Sequence, residues 1–91
     1  MNGKNENIPL EDLAVRILSL IVLEENFENI YWESGEKNKK IVLDVLRTLI
    51  VKDLVRVYEE TPKGFKLVSY VDPDAFETLY FRITAKGYLY L

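Results

Sequence analysis

The chain has 91 residues, 48% hydrophobic and 30% charged, with a formal net charge of −3, which suits one compact domain with its own core and leaves no room for a second. Histidine and cysteine are both absent, so a disulfide framework, a cysteine-zinc site and thiol chemistry are excluded. The usual general base near neutral pH is missing as well, and neither enzymatic activity nor a cofactor or metal is expected.

Residues 1–7 are polar and rich in asparagine, and read together with residue 8 as a loose tail before a single domain over residues 9–91. Pro9 suits the first turn of a helix, and Glu11 and Asp12 follow near the positive end of its dipole. The spacing predicts a helix over 9–25. Leu10, Leu13, Ala14, Ile17, Leu20 and Ile21 lie opposite Asp12, Arg16 and Ser19, while Val15, Leu18 and Val22 form a further apolar strip. The greasy arc is then about 220 degrees wide, where a surface helix needs somewhat more than about 100. Either the closing C-terminal turn covers the strip, or Val15, Leu18 and Val22 form the seam of a homodimer. The run from Ile17 to Leu23 is far shorter than the roughly 20 residues that span a bilayer. With no basic-then-apolar leader at the N-terminus, the expected location is cytoplasmic.

Asn26 is placed to cap a short helix over 27–32, with Phe27, Ile30 and Tyr31 facing inward, although Ile30, Tyr31 and Trp32 would equally suit a strand. Ser34 and Gly35 break the pattern, and Ser34 is the expected cap of a third helix over 36–52 whose buried stripe is Val42, Val45, Leu46 and Leu49. Asp53 stands where helices end in a left-handed residue. From Leu54 the period changes to two. Runs over 54–60, 65–71 and 76–83 are separated by Thr61-Pro62-Lys63-Gly64 and Asp72-Pro73-Asp74, both turn signals, so an antiparallel three-stranded meander is expected. Leu79, Phe81 and Ile83 alternate with Thr78, Tyr80 and Arg82, and Thr84 can cap a final helical turn.

The third helix running directly into Leu54-Val55-Arg56-Val57-Tyr58, and the closing Ile83-Thr84-Ala85-Lys86-Gly87-Tyr88-Leu89-Tyr90-Leu91, resemble the winged helix-turn-helix family. That resemblance covers about residues 10–91 and implies an α+β fold of about three helices, a β-wing and a closing helical turn. Two features depart from the family layout: the second helix is not clear, and three strands follow the third helix where a minimal wing needs two.

The resemblance implies a small transcriptional regulator that reads duplex DNA with its third helix. Lys37, Lys40, Asp44, Arg47 and Thr48 fall opposite the buried stripe. Asn38 and Lys39 lie at the helix start, where recognition helices touch DNA, and Lys63 and Lys66 stand at the wing. Lysines there neutralise phosphates, and Arg47 could meet a guanine edge. Over residues 36–52, five cations against two carboxylates leave a charge of plus three. The rest of the chain therefore carries minus six, and acids within a Debye length of about 8 Å repel phosphate. The alternative is a winged-helix module that binds another protein through an acidic surface and outward tyrosines. The aromatic residues available on the strands are Tyr58, Phe65, Tyr70, Phe76, Tyr80 and Phe81.

Overall fold

A computed structural model describes residues 10–69 and 72–91. In chain order the elements are α1 (Leu10–Leu20), β1 (Glu25–Asn26), α2 (Phe27–Ser34), α3 (Lys39–Val51), β2 (Val55–Thr61), β3 (Gly64–Leu67), a 3-10 helix (Pro73–Thr78), β4 (Tyr80–Ile83) and α4 (Ala85–Tyr88). The fold is α+β. Three helices pack on one another and on a four-stranded antiparallel sheet of order β1-β4-β2-β3.

The apolar periodicities explain the core. Leu13, Ile17, Leu18 and Ile21 meet Phe27 and Ile30 of α2, the stripe Val42, Val45, Leu46 and Leu49 of α3, and Val55, Val57, Phe81 and Ile83 of the sheet, all buried. Each large side chain so removed from water contributes roughly 1.5–3 kcal/mol. Leu18 is only 1% exposed, which corrects its expected place in a dimer seam: its side chain is spent on the core. Val15 and Val22 of that strip are exposed.

The first helix is shorter than its apolar pattern. It closes at Leu20, where the Ile21 amide turns back to the Leu18 carbonyl at 3.3 Å. The Ile21 carbonyl then accepts from the Ile83 amide at 2.9 Å, and Glu25–Asn26 pairs with β4, so the chain after α1 is drawn into the sheet edge. No helix among the described residues is long and apolar enough to cross a membrane.

The second helix exists and is longer than expected. Asn26 caps it, its side chain accepting from the Asn29 amide at 2.9 Å, and Gly35 ends it at φ 81°, a left-handed position that suits glycine. Ser34 is therefore the last residue of α2 and not the cap of α3. Asn38 is that cap, accepting from the Lys40 amide at 3.0 Å. At the other end of α3, Asp53 has φ 63°, the left-handed residue anticipated there.

β2 and β3 form a tight hairpin through Pro62 and Lys63, with Thr61 opposite Gly64. The expected meander is corrected at its third run. Asp72 caps a 3-10 helix, and this element, with Phe76 packed on Phe81 at 5.3 Å between ring centroids, takes the place of the first half of the predicted strand. β4 then enters on the far side of β2 and pairs with β1 and β2, not with β3. Its alternation holds: Leu79, Phe81 and Ile83 are buried while Arg82 is exposed. Thr84 caps α4, accepting from the Gly87 amide at 3.0 Å.

Candidate nucleic-acid interface

The turn between α2 and α3 is fixed by side chains on both sides. Glu36 is buried, and its carboxylate accepts from the Asn38 amide at 2.9 Å, while its own amide donates to Ser34 Oγ at 3.2 Å. Arg16 of α1 donates from a guanidinium nitrogen to the Ser34 carbonyl at 2.9 Å, and the Tyr31 hydroxyl donates to the Lys37 carbonyl, also at 2.9 Å. Charged partners shorten and strengthen such bonds. The direction in which α3 leaves the turn is thus set by three elements. Among the described residues no buried side-chain polar atom is left without a partner.

With Val42, Val45, Leu46 and Leu49 turned inward, α3 presents Lys40, Asp44, Arg47, Thr48 and Val51 outward, all exposed; Lys37, expected on the same helix, is exposed in the turn before the Asn38 cap, because α3 begins only at Lys39. The face is less basic than its composition. Lys40 Nζ lies 3.3 Å from Asp44 Oδ2, one turn along the same helix. Thr48 Oγ1 donates to the Asp44 carbonyl at 3.0 Å, and Asn38 Oδ1 is occupied as the cap. Among the described residues Arg47 and Lys37 have no carboxylate within ion-pair distance. Val51, 85% exposed, stands one turn beyond Arg47.

Lys39 lies apart from this face. Its ammonium is 3.5 Å from both Glu28 of α2 and Glu77 of the 3-10 helix, and 5.8 and 5.5 Å from the ring centroids of Phe27 and Tyr31. Desolvation opposes its charge, but the carboxylates of Glu28 and then Glu77 outweigh it and raise its pKa above the usual lysine value. Lys39 therefore ties the start of α3 to its neighbours, a role that local spacing does not signal because its partners are 11 and 38 positions away.

The hairpin carries Lys63 and Lys66, both exposed and without a carboxylate partner among the described residues. Thr61 Oγ1 accepts from the Lys63 amide at 3.2 Å and donates to the Gly64 carbonyl at 2.7 Å, which shapes the tip.

A second surface was not anticipated. Glu28, Glu59, Glu60 and Glu77 line an open cleft of about 550 Å³ beside Tyr80. The Tyr80 hydroxyl donates to Glu60 at 3.3 Å, and the Glu60 charge, with desolvation, raises the tyrosine pKa. Of the strand aromatics, Phe76 and Phe81 are core, Tyr58 and Tyr80 are half-buried, Phe65 is exposed, and Tyr70 lies outside the described residues. No group of three or more carboxylates among the described residues is arranged to hold a metal ion.

No family model, no curated protein and no solved structure matches this chain.

Proposed function

We propose that the chain is a winged helix-turn-helix protein that reads duplex DNA with α3, the hairpin β2–β3 acting as the wing. The order helix, strand, helix, helix, hairpin, returning strand and closing turn supports this reading, as does the presence of a clear second helix joined to α3 by a fixed turn. The observation that carries it is the outward face of α3 with the turn before it: Arg47 on the helix and Lys37 in the turn, both exposed and without a carboxylate in ion-pair distance among the described residues, with Lys40 and Thr48 on the same helix face as Arg47. In this reading Arg47 meets a base edge, Lys37 and Lys40 meet phosphates, and Lys63 and Lys66 touch the backbone from the wing. Lys39 positions the helix and makes no contact. Val15 of α1 and Val22, just past its end, supply the contact between two copies, without Leu18.

The test is titration of a fluorescent duplex at two salt concentrations. Binding that weakens with salt, and is abolished by Lys37→Glu with Lys40→Glu, supports the reading. Affinity that ignores both salt and the double substitution overturns it.

A second reading, a winged-helix module for a protein partner, is favoured by the acidic cleft at Glu28, Glu59, Glu60 and Glu77 and by the exposed Val51 at the C-terminal end of the outer face of α3. Passage through a heparin column separates the two: retention at moderate salt supports the DNA reader, and flow-through supports the protein module.

A further inference from the structure

β3 is the outer strand of the sheet, and among the described residues nothing pairs with its far side. Its register shows which backbone groups are left over. The Val68 amide donates to the Val57 carbonyl at 2.8 Å, and residues facing each other in an antiparallel pair alternate between bonded and non-bonded positions. Continuing the register, Glu59 with Lys66 and Thr61 with Gly64 are bonded pairs, whereas Tyr58 with Leu67 and Glu60 with Phe65 are not. The N–H and C=O groups of Phe65 and Leu67 therefore point away from β2, toward solvent.

The side chains at the same two positions are apolar and uncovered. Phe65 is 44% and Leu67 49% exposed, on the face where Phe65 packs edge-on against Tyr80 at 4.9 Å between centroids. Between them, on the opposite face, stands Lys66, with no carboxylate within ion-pair distance among the described residues. An outer strand offering unpaired backbone groups and alternate apolar side chains is the template for strand addition.

A second copy of the chain is a poor occupant. The antiparallel register of greatest overlap pairs Phe65 of one copy with Leu67 of the other, and so sets the two Lys66 side chains directly opposite at the close, non-bonded spacing, where like charges repel. The same geometry favours a carboxylate facing Lys66. We propose that β3 docks an extended segment of another protein in which apolar residues, facing Phe65 and Leu67, alternate with an acidic residue facing Lys66. This goes beyond DNA reading by α3 and does not require it, although the docked segment would compete with DNA for Lys66 of the wing.

The experiment uses the full chain, labelled with nitrogen-15, and an end-blocked peptide of alternating valine and glutamate. Saturable shifts of the Phe65 and Leu67 amides are expected, and they should vanish when alternate peptide amides are N-methylated. Lys66→Glu should invert the preference, so that a valine–lysine peptide binds about fivefold more tightly than the valine–glutamate one. Leu67→Pro removes only an outward donor and keeps the β2–β3 bonds, so it should abolish docking while the Val57 and Lys66 amide signals stay in place. Three outcomes overturn the proposal: no shifts at β3 with the peptide, equal binding of peptides of either charge, or concentration-dependent self-pairing of the free protein through β3. Duplex DNA added to the same sample tests α3 separately, through the amides around Lys40 and Arg47.

Discussion

Gly87 lies against the backbone of Leu54 so closely that a Cβ on it would stand 2.6 Å from the Leu54 carbonyl oxygen and 2.6 Å from Ile83 Cγ1. That oxygen is already engaged, accepting from the Thr84 amide at 3.0 Å. The closing turn thus rests on the junction between α3 and β2, and only a residue without a side chain lets it approach.

Gly87→Ala should therefore destabilise the fold, by about 1–3 kcal/mol, because a backbone oxygen and a buried isoleucine must both shift. Thermal or urea unfolding followed by circular dichroism measures it. A melting temperature equal to that of the parent protein would show that the turn can move away at no cost.

Leu18 and Val15 should separate stability from association. Leu18→Ala removes a core side chain and should cost about 2–5 kcal/mol. Val15→Glu, at an exposed position, should change stability by no more than about 0.5 kcal/mol. If α1 joins two copies, Val15→Glu with Val22→Glu should yield monomers in sedimentation at concentrations where the parent is dimeric. A parent that is already monomeric there rules the α1 seam out.

Arg47 and Glu77 should move DNA affinity in opposite directions. Arg47→Ala should weaken binding by about 1–3 kcal/mol if its guanidinium reads a base edge. Glu77→Gln lowers the negative charge beside α3, so affinity should rise. Equal affinity of both variants and the parent would disconnect α3 from DNA.

The fold and the site were legible to different depths. Local signals carried far: the Val42, Val45, Leu46 and Leu49 stripe, the Asn26 cap, the left-handed Asp53 and the Thr84 cap are each fixed by neighbours within about one helical turn. What failed was set by distant partners. The apolar pattern of α1 continues past Leu20, but the Ile21 carbonyl is claimed by Ile83 of β4. Phe76 has strand propensity, yet it is drawn into a 3-10 turn by the Asp72 cap, Pro73 and the Phe81 ring. At the site, spacing found the outward positions of α3. It could not reveal which cations are neutralised, because Glu77, which reaches Lys39, is 38 positions away along the chain.

Acid should expose the pair that ties β4 to the loop after α1. Arg82 donates to Glu24 at 2.9 Å. A hydrogen bond from the backbone at Glu24, opposed in part by desolvation and helped by the Arg82 guanidinium, holds the Glu24 pKa below its usual value. A carboxyl depressed on folding contributes stability that is complete above its unfolded pKa and fades as pH falls through the folded one. Glu24→Gln should thus lower stability at neutral pH and lose less than the parent on acidification below about pH 4.5. Parallel stability curves for the two proteins across that range would remove the pair from the acid response.

The grip of Arg16 on the Ser34 carbonyl has a mechanical consequence. α1 holds the last residue of α2, and Glu36 two residues later holds the amide that opens α3, so turning α1 about its long axis would draw the Arg16 guanidinium off the Ser34 carbonyl. The turn that aims the helix carrying Arg47 is thus moored to α1 as well as to its own two flanking helices.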